Sequence, residues 1–213
     1  MRNIARKLGA AATSLYWYVS SKDDIYELMA DELIGEIKLP KQQSADWRAH
    51  VRAIAIETRR TLSRHSWFPV LGIQPGLGPK TKGYGQAASA PLAARGIERS
   101  EWINILGTLN NYINGFAYRE SAWNRLQRQS GLDKRPWEAR LEGLVERTAD
   151  QNRELAAQTA DRMVLHGDYS FEYGLNVVLD GIAARLARLE GARASSDPPQ
   201  SARAEDAPTE SGA

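Results

Sequence analysis

The sequence predicts an all-α protein with a small head of two short helices, a connecting helix and a larger helical body. Three observations predict it. Residues 2 to 26, RNIARKLGAAATSLYWYVSSKDDIY, read as helix, tight turn, helix: Ile4 and Leu8 share one helical face, and Gly9 can end that helix in the left-handed conformation. Further on, Trp102, Leu109, Phe116 and Trp123 recur at heptad spacing, with Ile105, Leu106, Tyr112 and Ile113 beside them. Near the end, Phe171, Leu175, Val178, Ile182, Leu186 and Leu189 follow one another at helical steps.

In the head, the turn is too short for its helices to lie antiparallel, so they must cross steeply, as in a DNA-binding helix-turn-helix. Leu15 and Val19 then point inward, and Thr13, Ser14, Tyr16, Trp17 and Tyr18 point outward. Three consecutive aromatics cannot all face one core, because each residue turns the helix by about 100°. Residues 1 to 22 hold Arg2, Arg6, Lys7 and Lys22 and no acid. That local positive charge matters more than the whole-chain net charge of +2, because attraction to phosphates is screened within about 10 Å at 0.1 M salt. The turn Gly9-Ala10-Ala11-Ala12 offers no Ser, Asp or Asn to cap the second helix, a loss of roughly 1 kcal/mol, with Thr13 as the nearest substitute.

Arg2, Ile4, Ala5, Leu8, Gly9, Leu15, Tyr16, Tyr18, Val19, Lys22 and Ile25 together resemble the helix-turn-helix pattern of the TetR family of transcriptional repressors. The resemblance implies that Arg2 and Thr13 to Tyr18 face the major groove. Thr13, Ser14, Trp17 and Tyr18 would read bases, while Arg2, Tyr16 and Lys22 would position the phosphate backbone. The family places one more helix before the one carrying Arg2, so the start of the chain is read as clipped or misassigned. A helical ligand-binding or dimerisation protein that does not bind DNA is the alternative reading.

The 213 residues, 42% of them hydrophobic, can bury about 70% of their unfolded surface. Without cysteine, disulfides and thiolate chemistry are excluded. No membrane-length apolar run and no signal peptide is seen, and a cytoplasmic address is the simplest expectation. Ser20-Ser21 can cap a connecting helix with Asp23 and Asp24 in its first turn, running through Ile25, Leu28, Met29, Leu33 and Ile37 to stop before Pro40. Residues 1–38 thus form head and connecting helix. Asp31 and Glu32 on it read as a solvated face.

After the polar loop Lys41 to Ala45, Asp46 starts a helix with Trp47, Val51, Ile54, Thr58 and Leu62, ending near Arg64-His65. Residues 67–79 are apolar but full of breakers, which suggests a short helix and an irregular loop over an interior space. Residues 80–95 read as a weak helix broken by Gly83, Gly85 and Pro91. Ser100 opens the long heptad helix, whose stripes Asn110, Asn111 and Asn114 interrupt. Gly131-Leu132-Asp133 breaks it, and a further helix runs from Pro136-Trp137 to Met163, ended by His166-Gly167-Asp168. In the last helix Gly174 and Gly181 lie one heptad apart, suiting a close approach. The two long helices want more partner surface than one small body offers. A two-fold four-helix bundle between copies is expected, with Phe171, Gly174, Leu175, Val178, Gly181 and Ile182 at the interface. The body spans 46–190, and 191–213 reads as a disordered tail.

The run from Phe171 to Ile182 resembles the last helix of the tetracycline-repressor-type C-terminal domain. That resemblance implies a ligand-binding and dimerisation body and a small-molecule effector. In tetracycline repressors the loop corresponding to Val70–Pro75 supplies a metal-binding His and a Thr-Arg pair. Here Val70, Ile73 and Gln74 stand in those places, so a magnesium-tetracycline effector is not expected. Trp67, Phe68, Pro75, Trp102, Asn110, Asn114 and Phe116 suit a largely apolar, aromatic ligand with a few hydrogen-bonding groups. His50, His65 and His166 are isolated, and no metal-ligand spacing or nucleophile motif appears; no catalytic residue, metal or cofactor is expected. The expected partners are double-stranded operator DNA, a second copy of the chain and an effector, with no membrane.

Overall fold

The computed structural model describes residues 1–40, 46–71, 78–164 and 167–196, and among them every regular element is a helix. In chain order these are α1 (Arg2–Lys7), α2 (Ala12–Leu15), α3 (Lys22–Gly35), α4 (Trp47–Arg64), α5 (Trp67–Leu71), α6 (Pro79–Ala94), α7 (Arg99–Ser130), α8 (Lys134–Gln151), α9 (Arg153–Val164) and α10 (Asp168–Ser196).

In the head, α1 closes as a Schellman turn. Gly9 takes φ +66°, Ala10 N donates to Ala5 O at 2.9 Å and Gly9 N to Arg6 O at 3.3 Å. Ala5 and Val19 are buried. Leu8, expected on the inner face, is 66% exposed; it is the C-cap of α1, and nothing among the described residues covers it. Ala11 caps α2 without a side-chain bond. By contrast, α3 starts on a full capping box, with Ser21 Oγ accepting from Asp24 N and the Asp24 carboxylate accepting from Ser21 N.

The body core joins Leu33, Ile34 and Ile37 of α3 and its end to Val51, Ala55 and Leu62 of α4, Phe68 of α5 and Leu92 of α6. It continues through Ile105, Leu109, Ile113 and Phe116 of α7 into Phe171, Leu175, Leu179, Ile182 and Leu186 of α10. Arg59 braces three of these helices. Its guanidinium binds Glu120 of α7 through two nitrogens and Asp168 of α10 at 2.8 Å. The same group lies over the rings of Phe116 and Phe171, at 5.0 and 4.7 Å.

Four expectations are corrected. First, α6 is continuous through Gly83, Gly85 and Pro91. A proline inside a helix leaves the carbonyl four residues earlier without its donor; here that carbonyl, Ala87 O, receives the buried His50 imidazole through Nε2 at 3.0 Å. Second, the helix expected from 136 to 163 is two helices. Asn152 breaks it at φ −156°, ψ 102°, and its Oδ1 takes the amide of Leu155 at 3.1 Å. His166 lies outside the described residues. Third, α10 runs past residue 190 to Ser196.

The fourth correction concerns the expected dimer residues. Phe171, Leu175 and Ile182 are buried in their own protomer, because the stripe of α10 that carries them packs on α7 and α4 of the same chain. Gly174 abuts Tyr112 of α7, where a Cβ would collide with the phenol, and Tyr112 donates to Phe171 O at 2.7 Å. Val178 is partly buried against the core. Of the six, Gly181 alone is exposed.

Candidate ligand cavity and DNA-facing helix

A cavity of about 440 Å³ lies between α3, α4, α5, α6 and α7. Ile34, Val51, Ile54, Phe68, Pro69, Leu106 and Leu109 form its apolar wall. Thr58, Tyr84, Asn110 and Asn114 supply polar groups. Their hydrogen bonds run in a chain. Thr58 donates its hydroxyl to Ile54 O at 2.8 Å, which leaves its oxygen to accept from the Tyr84 hydroxyl at 3.2 Å. The Tyr84 hydroxyl also lies 3.4 Å from Asn110 Oδ1. Asn114 donates to Asn110 O at 2.9 Å. Burial pushes the Tyr84 phenol upward, against a smaller opposing effect of the Thr58 hydrogen bond, so it stands as a neutral donor and acceptor.

Of the expected ligand residues, the fold brings Phe68, Asn110 and Asn114 to this cavity. Phe116 does not line it and is instead closed in by Tyr112 and Phe171. Trp102 packs partly buried against the core with the Arg99 guanidinium over its ring, and Trp67 lines a shallow surface depression beside Ile25, Leu28 and Met29 of α3. Pro75 lies outside the described residues. Sequence reasoning missed Thr58, a hydroxyl on an otherwise apolar stripe, and Tyr84, an aromatic between two glycines of a helix thought broken.

The cavity wall is tied to the connecting helix through Asp31, which is no solvated acid: the residue is only 9% exposed. The first turn of α6 has no cap of its own, since Gly78 stands at its N-cap. The Asp31 carboxylate supplies the cap from α3, accepting from Thr81 N at 2.8 Å, Thr81 Oγ1 at 2.9 Å and Lys80 N at 3.3 Å. The Thr81 amide foremost holds the Asp31 carboxyl below its ordinary range, against desolvation. Gly78 is needed there because a Cβ would strike that carboxylate. Thr81 itself lines the cavity. Beyond the end of α3, Glu36 bonds His65 at 2.8 Å and stands 3.7 Å from Arg64.

In the head, Arg2, Thr13, Ser14 and Lys22 are exposed. Tyr16, Trp17 and Tyr18 are 55%, 88% and 86% exposed, on the same surface of the head as these polar groups. Lys22 also holds its ammonium 5.1 Å from the Tyr26 ring. Among the described residues no group of three or more His, Asp and Glu is placed to hold a metal ion, and no helix is long and apolar enough to cross a membrane.

The chain thus combines a bihelical head bearing outward aromatics and cations, a connecting helix and a helical body with a cavity. Residues 39–186 match the family described as the tetracyclin repressor-like C-terminal domain. A helix-turn-helix-type transcriptional regulator of Saccharopolyspora erythraea is 35% identical over 187 residues, covering 86% of this chain and 75% of that protein. The helix-turn-helix-type transcriptional repressor DrrR1 of Streptomyces coeruleorubidus is 27% identical over 199 residues, covering 90% and 72%. In fold, the TetR family protein ActR of Streptomyces coelicolor in complex with actinorhodin superposes with a TM-score of 0.66 at 22% identity over 86% of each chain. The chain belongs to the TetR family of transcriptional regulators.

Proposed function

We propose that two copies of this chain bind a palindromic operator as a repressor and release it when a small molecule fills the cavity. The observation that carries this reading is Thr81, which lines the cavity and holds Asp31 of the connecting helix. A ligand that moves α6 therefore acts on α3, and a difference in its affinity for the two positions of α3 is what shifts the heads. The similarity to a protein named as a repressor, DrrR1, and to one crystallised with a small molecule, ActR, supports the same reading.

The dimer surface we propose is the outer face of α10, Tyr169, Tyr173, Val177 and Gly181, beside Tyr118 and Thr108 of α7. A shallow groove between Thr108, Val177, Val178 and Gly181 gives a partner helix a seat. Two heads related by such an axis address half-sites about 34–36 Å apart. Thr13, Ser14, Trp17 and Tyr18 read bases, and Arg2, Tyr16 and Lys22 hold phosphates. A cytoplasmic site of action goes with this role.

Fluorescence anisotropy with DNA from upstream of the protein's own gene, against scrambled DNA and across a salt series, tests the reading. Specific binding is expected, with Lys22→Ala lowering the slope of log K against log salt by roughly 0.9. Absence of specific binding to any upstream or genomic fragment would favour the DNA-independent ligand-binding reading instead.

A further inference from the structure

We propose that Tyr26 is a positioning residue for Lys22, holding the lysine ammonium ready for a DNA phosphate without neutralising its charge. The inference rests on the DNA-binding reading of the head and adds to it a residue that acts through Lys22 rather than on the DNA itself. Lys22 is the first residue of α3, where a cation meets the positive end of the helix dipole and is disfavoured. The start of the helix does not need it: Ser21 and Asp24 close a capping box, and Asp23 and Asp24 supply the acids that the dipole favours. The lysine is thus kept against the preference of its own helix, which places its use outside that helix.

Its charge is left intact. In the body, Arg48, Arg52 and Arg59 of α4 close on the α10 acids Asp180, Glu172 and Asp168 at 2.7, 2.9 and 2.8 Å. Among the described residues no carboxylate closes such a pair with Lys22. Asp24, in the same first turn, is engaged elsewhere, accepting from Ser20 N at 2.6 Å, Ser21 N at 3.1 Å and Ser21 Oγ at 2.6 Å. What the ammonium meets is the Tyr26 ring, 5.1 Å away at its centroid. The two residues are four apart on α3, a spacing that brings helical side chains together, and a helical aromatic leans back toward the N-terminus. A hydrogen bond to the Tyr26 hydroxyl foremost, and Asp23 to a lesser degree, hold the ammonium above its ordinary pKa. The ring is half-buried and stiff, whereas Lys22 is exposed and swings on a long flexible stem. A carboxylate at this place would cancel the charge that a phosphate needs; an aromatic face attracts a cation and stays neutral. The ammonium has three donors, so contact with Tyr26 leaves others free for a phosphate, and the lysine loses less freedom on binding.

Fluorescence anisotropy of the full chain on a labelled duplex of mixed sequence at low salt tests this, because a phosphate contact does not depend on sequence. Tyr26→Leu is expected to weaken binding by about two- to tenfold, the effect of having to order one free lysine on binding. Tyr26→Phe, which keeps the ring, should lose less. In a Lys22→Ala background Tyr26→Leu should change nothing further, whereas a ring that merely packs the head would cost the same in both backgrounds. Circular dichroism melts check that each variant is folded. A second readout needs no DNA: in proton–carbon NMR the Lys22 methylene beside the ammonium should be shifted upfield by the Tyr26 ring, and Tyr26→Leu should abolish the shift. An unshifted methylene, additive losses in the double-mutant cycle, or a Phe variant as weak as the Leu variant would each overturn the proposal. Duplex binding that Tyr26→Leu leaves unchanged overturns it alone. No duplex binding by the parent, with the NMR shift present, overturns the DNA-binding reading and the phosphate role with it.

Discussion

Ala87 and Asp31 show single groups whose partners come from another helix. The His50 Nε2 bond replaces the main-chain donor that Pro91 lacks. Replacing His50 by Phe strands a buried carbonyl and should cost about 1–3 kcal/mol in urea unfolding. In a Pro91→Ala background the new amide can reach Ala87 O, so the same replacement should cost about 1 kcal/mol less; an additive double-mutant cycle would remove this role from His50. For Asp31 the sign follows from its lowered pKa. Its charge-dependent stabilisation is complete above the ordinary value of 3.8 and is lost as pH falls through the lower folded value. Asparagine caps nearly as well as aspartate, so Asp31→Asn isolates the charge. Its Tm should lie below that of the parent near neutrality and converge with it in strong acid, whereas Asp31→Ala should lie lower than both at neutral pH.

At the scale of elements, α3 and α6 are held as one unit by contacts that only glycine permits at Gly78. Gly78→Ala is expected to push Asp31 out of its cap, lower Tm and weaken operator release by ligand, measured by anisotropy with and without an effector; a variant as stable and as responsive as the parent would show that the cap is dispensable. This junction could not be read from the sequence, because Asp31 and Thr81 are far apart in the chain and an acid on a helix surface ordinarily faces water. The heptads of α7, the capping box at Ser21 and the stop at Gly131 were legible, since local spacing alone decides them. The break at Asn152 was hidden by the polar run Thr148–Asn152, where helix and cap preferences compete. The stripe from Phe171 to Leu186 was legible as apolar, but periodicity does not say whether its own chain or a second copy will cover it.

For the whole molecule, the distinction just drawn becomes a measurement. Val177→Glu and Tyr173→Glu alter the exposed face of α10 and should yield folded monomers by sedimentation, with helical content preserved. Phe171→Asp, buried at 1% exposure beneath Arg59, should unfold the protomer itself. A dimer that survives both surface variants would place the interface elsewhere. The foreign cap on α6 has one more use. The amides of Lys80 and Thr81 are shielded from solvent by a carboxylate that belongs to α3, so their deuterium uptake reports where the connecting helix is. Slow exchange at these two positions in one state and fast exchange in the other would let the position of α3 be followed in solution, residue by residue, with no label attached to the head.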